Sequence, residues 1–225
     1  MYRFSFHRPL IAISLGLVSH SVSAALQPIA EAPLASDTEL HCHFNRDAST
    51  DCTTTYRYTI LKANGREMLS RIDFDYSEAD TFEVVSAQST QPGAKPVALA
   101  ATQIDTRSAP NPDQGFSRDK QTSLAFPNLR VGTQIRYTVR QHYPAKPLMT
   151  QFHYVLKFGP SSARRDRFKA RFTAERPIQW RSELFDGFKV TPSSNGKTLD
   201  VVQKAPTYLN YINESSAAAL LRVPR

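Results

Sequence analysis

No C-x-x-C pair, G-x-S-x-G elbow, glycine-rich phosphate loop or dinucleotide fingerprint occurs in this sequence. Thioredoxin-like redox chemistry and nucleophile-elbow serine hydrolysis therefore have no motif to rest on, and no cofactor is implied. Helix-turn-helix, zinc-finger and aromatic–basic recognition motifs are absent too. The 28 Lys and Arg against 20 Asp and Glu, a net charge of +8, thus point to loose attraction for an anionic polymer and not to specific nucleic-acid binding. Cysteine is scarce: only Cys42 and Cys52 occur. No apolar run approaches the roughly 20 residues that cross a bilayer as a helix, and no lipobox-like cysteine follows the N-terminal segment. A soluble mature chain is expected.

What is present begins with residues 1–24. Arg3 and Arg8 precede a short apolar stretch, LIAISLGLVSH, and Val22-Ser23-Ala24 places small residues at a cleavage site. This pattern predicts a signal peptide and an exported, periplasmic protein. Removal leaves about 200 residues, enough for one all-β domain with a real core. Residues 25–36, rich in Pro and Ala, read as a flexible leader.

From residue 37 to 204 the pattern is strand-like almost throughout. TELHCHFN and CTTTYRYTIL alternate on either side of the turn-rich RDASTD. A hairpin centred near Ala48 sets Cys42 almost opposite Cys52, which in an oxidising compartment predicts a disulfide; free buried or redox-active thiols are the alternative. Asn64-Gly65 suits a tight hairpin turn that needs φ > 0, leading into one strand through Met68, Ile72, Phe74 and Tyr76. Thr81–Ser89 and PVALAATQI supply further strands around the Pro92-Gly93 turn. Asp105–Arg118 reads as the longest internal loop, serving either binding or a disordered crossover. Beyond it, Ile135, Tyr137 and Val139 alternate with Gln134, Arg136, Thr138 and Arg140, and Phe152, Tyr154, Leu156 and Phe158 repeat the period. An all-β fold follows, an antiparallel two-sheet β-sandwich or a related distorted barrel. Residues 205–225 read as a linker with a short C-terminal helix at Asn213–Leu221, leading on to a further domain.

Several clusters carry reactive residue types. His41 and His43 share one strand face, with Cys42 on the other. They can ligate copper or zinc only if His142, His153 or an aspartate such as Asp51 joins them. Asp73 and Asp75 form a second same-face pair, suited to acid–base work or simply to a solvated face. Arg165, Arg167, Lys169 and Arg171 form a basic stripe opposite Phe168, Ala170 and Phe172. It serves either as a docking site for an anionic envelope polymer or acidic protein, or as a charge-protected edge strand. Trp180, Phe185 and Phe188 fit sheet-margin core or a contact for a following domain.

The punctuation of the strands resembles domain-of-unknown-function family 3857, a β-rich module that precedes transglutaminase-like domains in exported bacterial proteins. The resemblance is carried by Tyr56-Arg57-Tyr58-Thr59-Ile60-Leu61 with Asn64-Gly65, by Ile72-Asp73-Phe74-Asp75-Tyr76 and by Pro92-Gly93-Ala94-Lys95. Phe126-Pro127-Asn128-Leu129 with Val131-Gly132-Thr133 adds to it. It departs at Ile135-Arg136-Tyr137, where family members often place an acidic residue. It implies a non-catalytic scaffold or recognition module, the accessory half of a transglutaminase-like envelope protein whose Cys-His-Asp machinery would lie beyond Arg225. The alternative from another class is an envelope hydrolase or metal-dependent enzyme using His41, His43 and nearby aspartates.

Overall fold

A computed structural model describes residues 29–109, 119–145, 154–158, 161–181 and 187–208. The expected signal peptide and C-terminal helix, with Phe152, His153 and Phe185, lie outside them. Among the described residues eleven strands form two sheets. The larger sheet takes β1 (Leu34–Phe44), β2 (Thr50–Ile60), β4 (Thr81–Thr90), β5 (Val97–Ala98), β8 (Gln134–Tyr143), β9 (Ala163–Ala174), β10 (Phe188–Pro192) and β11 (Thr198–Gln203). Its order is β10-β11-β9-β1-β2-β8-β4-β5, and the smaller sheet runs β3 (Arg71–Tyr76), β7 (Lys120–Ala125), β6 (Ile104–Ser108). The expected two-sheet antiparallel architecture is present, with one exception. β1 and β9 pair in parallel, bringing together strands some 130 residues apart, a relation that short-range turn signals do not encode.

The long strands follow from strict alternation. Leu40, Cys42 and Phe44 on β1 are buried, while His41 and His43 are exposed. Two apolar clusters line one face of the large sheet. The small sheet covers one, in which Leu34, Ile60, Ile135 and Tyr137 meet Leu124 and Phe126, with Ile72 and Phe74 packed against them. The other joins Leu40, Cys42, Phe44, Phe168 and Phe172 to Leu156, Phe158 and Phe188. Fully burying such a side chain is worth about 1.5–3 kcal/mol against solvent exposure. The opposite face of the large sheet is polar.

The β1–β2 turn is a three-residue hairpin. Asn45 N donates to Ser49 O at 2.9 Å and Ala48 N to Asn45 O at 3.2 Å, with Ala48 left-handed at φ 70°. The Asp47 carboxylate accepts from both the amide and hydroxyl of Ser49. The register sets Cys42 directly opposite Cys52, Cα atoms 4.1 Å apart, and the pair is a buried disulfide.

Several expectations need correction. Ordered structure starts before Asp37: Ala32 and Leu34 are buried, and β1 begins at Leu34. At the other end Thr207 bridges to Arg165 and Tyr208 is buried. Asn64-Gly65 is not a hairpin turn. Asn64 has φ −67° and Gly65 opens a short helix, α1 (Gly65–Ser70), whose Leu69 is buried while Met68 is exposed. What Gly65 provides is proximity, because a Cβ there would sit 2.6 Å from the Pro33 carbonyl oxygen. The Pro92-Gly93 turn does form, with Gly93 at φ 74° and Ala94 N bonded to Gln91 O. PVALAATQI breaks into two-residue β5 and a 3-10 turn, and the start of the expected Asp105–Arg118 loop is strand β6. Tyr154–Phe158 belongs to no strand, although Leu156 and Phe158 do pack on the core.

Candidate functional site

On the polar face of the large sheet, strand registers arrange side chains in transverse rows. One row runs Thr81, His142, Asp51, His43, Thr173, Thr198 from β4 to β11; the next runs Glu83, Arg140, Thr53, His41, Arg171, Asp200. A third runs Ser86, Thr138, Thr55, Glu39, Lys169, Val202, and a fourth Gln88, Arg136, Arg57, Asp37, Arg167. Neighbours in a row have Cβ atoms roughly 4.5–5.5 Å apart, close enough for charges to be answered or opposed.

Most cations on this face are answered. Arg171 makes a two-pronged contact with Asp200, at 2.7 and 3.0 Å. Arg140 Nη1 lies 2.9 Å from Glu83 Oε2, and Lys169 stands opposite Glu39. Arg167 bonds Asp37 through both Nε and Nη2, and the bond raises the Arg167 pKa further. The predicted basic stripe is therefore largely neutralised by β1 and β11. Arg165 does not belong to it. A bulge inserts Asp166 between the positions facing Ser36 and Asp37, which turns Arg165 to the inner face. There its guanidinium lies 4.7 Å from the Phe158 ring centroid, and burial lowers its pKa.

Arg57 and Arg136 differ. They are paired residues on β2 and β8, like charges directly opposite. Asp37 is the nearest acid, 3.5 Å from Arg57, but it is engaged by Arg167. Among the described residues Arg136 has no acid opposite it or at the diagonal positions of β2 and β4, which hold Thr55, Thr59, Ser86 and Thr90. The alternations Tyr-Arg-Tyr on β2 and Ile-Arg-Tyr on β8 put each arginine on the polar face. Their register, and so their juxtaposition, was not readable from the sequence.

The histidines share the face without closing on a point. His43 Nδ1 lies 2.9 Å from Thr173 Oγ1, and His41 Nε2 lies 3.5 Å from Glu39. His142 Nδ1 contacts Asp51 at 2.8 Å; the amide of Asn45, then His142, hold the Asp51 carboxyl below its usual range. His43 thus has Asp51 opposite and His142 beyond it, as the metal reading required. Even so, no three His, Cys, Asp or Glu among the described residues gather closely enough to hold a metal ion. Cys42 is tied up in the disulfide on the other face.

Asp73 and Asp75 point outward from the small sheet. The Ser123 hydroxyl and Arg71 Nε, at 2.6 and 2.7 Å, hold the Asp73 carboxyl low, and Gln121 donates to Asp75 at 2.9 Å. An ionised, salt-bridged Asp73 is a poor proton donor at neutral pH. Trp180 is 46% exposed, whereas Phe188 stacks on Phe158 in the core. Beside the first core cluster an open recess of about 210 Å³ is lined by Tyr58, Tyr137, Leu69, Arg71, Ser161 and Ser162, among others.

Two sheets around a split core, with the reactive side chains dispersed over outer faces, define a β-sandwich module. Residues 46–203 match the family described as Domain of Unknown Function DUF3857, and the chain belongs to it. No curated protein matches the chain significantly. Among solved structures, a provisionally named protease from Parabacteroides distasonis is similar in fold. Its TM-score is 0.60 at 10% identity, over 81% of this chain and 37% of that one. An M1 zinc metallopeptidase from Deinococcus radiodurans (TM-score 0.38, 17% identity, 78% of this chain and 40% of that chain) is more distant. So is the CBM3a-L domain of a Clostridium thermocellum scaffoldin (TM-score 0.32, 13% identity, 58% and 82%). The chain thus spans well under half of the Parabacteroides protein, and that likeness is one of fold.

Proposed function

We propose that this chain is an exported, non-catalytic β-sandwich module, a scaffold or recognition domain beside a transglutaminase-like domain that supplies the chemistry. The observation that carries the reading is dispersal. His41 and His43 lie on the outer face of one sheet, Asp73 and Asp75 on the outer face of the other, and Cys42 is bonded to Cys52 on the inner face of the large sheet. Nucleophilic or acid–base catalysis needs such groups to converge on the reacting atoms of one substrate. Family membership supports the same reading, and an oxidised cysteine pair suits an oxidising compartment such as the periplasm.

The test is an assay of ammonia release from a glutamine peptide in the presence of an amine. It compares this chain alone, a transglutaminase-like domain taken from the same reading frame, and the two joined. The expected result is no release by this chain alone and a lower KM when it is joined to the domain. Turnover by this chain alone, or a domain indifferent to it, contradicts the proposal.

A further inference from the structure

The polar face of the large sheet carries one unresolved electrostatic feature. Arg57 and Arg136 face each other across β2 and β8; the one acid in their row, Asp37, is already held by Arg167, and Glu39, diagonal to Arg57, stands opposite Lys169. Three guanidinium groups in that row are answered by one carboxylate. The second and third rows differ, since Arg140 has Glu83, Arg171 has Asp200, and Lys169 has Glu39 opposite. Like charges directly opposite in a sheet destabilise it. A bound anion would relieve that repulsion, and two neighbouring guanidinium forks match the geometry of carboxylates.

We propose that Arg57 and Arg136 form a recognition point for the carboxylates of an acidic polysaccharide. The surroundings favour this class of occupant. Gln88 and Gln134 flank Arg136, on the neighbouring strand and along its own, and threonine and serine hydroxyls fill the diagonal positions. Amides and hydroxyls both donate and accept, as sugar hydroxyls do. Among the described residues this row and its two neighbours present no aromatic side chain, whereas the centres of protein interfaces are enriched in aromatic anchors. The chain's net charge of +8 adds long-range attraction. The site rests on the reading of the chain as a recognition module and gives that module a ligand class.

Affinity measurements on the full chain test this with polygalacturonate as probe, poly-glutamate as acidic-polypeptide comparator and dextran as neutral control. Arg57→Gln with Arg136→Gln should weaken polygalacturonate binding by about tenfold or more, the scale of losing a charge-assisted two-pronged contact. Arg140→Gln with Arg171→Gln removes the same formal charge elsewhere on the face and should change affinity by no more than about threefold. Arg136→Lys keeps the charge but loses the fork, and should fall between wild type and the first pair; it carries the test if that pair fails to fold. Equal losses in the two double variants would overturn the site in favour of net charge. Poly-glutamate binding as tightly as polygalacturonate would overturn it in favour of an acidic protein surface, and no binding to either would overturn it outright. Each of these failures leaves the ammonia-release assay unaffected, so failure of the site and failure of the module reading are separable.

Discussion

Gly65 packs against Pro33 so closely that a Cβ on the glycine would sit 2.6 Å from the proline carbonyl oxygen and 2.8 Å from Leu34 Cδ2. The Pro33 oxygen is itself held, accepting from the amides of Leu61 and Lys62 at 2.8 and 3.2 Å. Neither the carbonyl nor buried Leu34 can retreat without disturbing the start of β1. Gly65→Ala should therefore destabilise the fold by roughly 1–3 kcal/mol, the usual range for overpacking. Gly93→Ala has open space around it and only its left-handed φ to oppose it. Urea denaturation of both variants should show the larger loss at Gly65.

The Cys42–Cys52 bridge closes a short loop, with a sequence separation of 10. Chain entropy then sets its contribution at about 2–3 kcal/mol. Cys42→Ala with Cys52→Ala should lower stability by that amount and leave the β1–β2 pairing intact. The check is a denaturation curve with a lower midpoint and an unchanged far-ultraviolet spectrum.

Burial, reinforced by the neighbouring Tyr58, pushes the Tyr56 phenol up to about 12. Burial likewise raises Tyr143 to about 12 and lifts Tyr137 well above its ordinary value. In the unfolded chain these groups ionise near pH 10. Folding thus favours the protonated form, so their contribution is complete below pH 10 and is lost as pH rises through about 12. Thermal midpoints should be level from about pH 7 to 9 on this account and fall above about pH 10. Tyr56→Phe should make the alkaline fall shallower.

Much of this was legible in the sequence, and the failures have physical causes. Alternation placed His41 and His43 opposite Cys42, and Asp73 and Asp75 opposite Ile72 and Phe74, because side chains on a strand have a strict period of two. Even numbering misled at Met68, which shares parity with Ile72 and Phe74 but lies on α1 and is exposed. The strong helix formers Glu67, Met68 and Leu69 were the signal available there. Arg165 was misplaced because one bulged residue, Asp166, reverses the faces on one side of it, and no glycine marks the spot. Arg57 and Arg136 were each placed on a polar face by alternation. Their pairing depends on a register across some 80 residues that local pattern does not encode.

The central claim, an exported β-module with an oxidised hairpin, is tested most directly by intact-mass analysis of the chain recovered from a periplasmic extract. The account predicts a mature chain beginning at Ala25, lighter by two hydrogens than its fully reduced form because Cys42 and Cys52 are joined. A chain found in the cytosol with Met1 retained and both thiols free would contradict it.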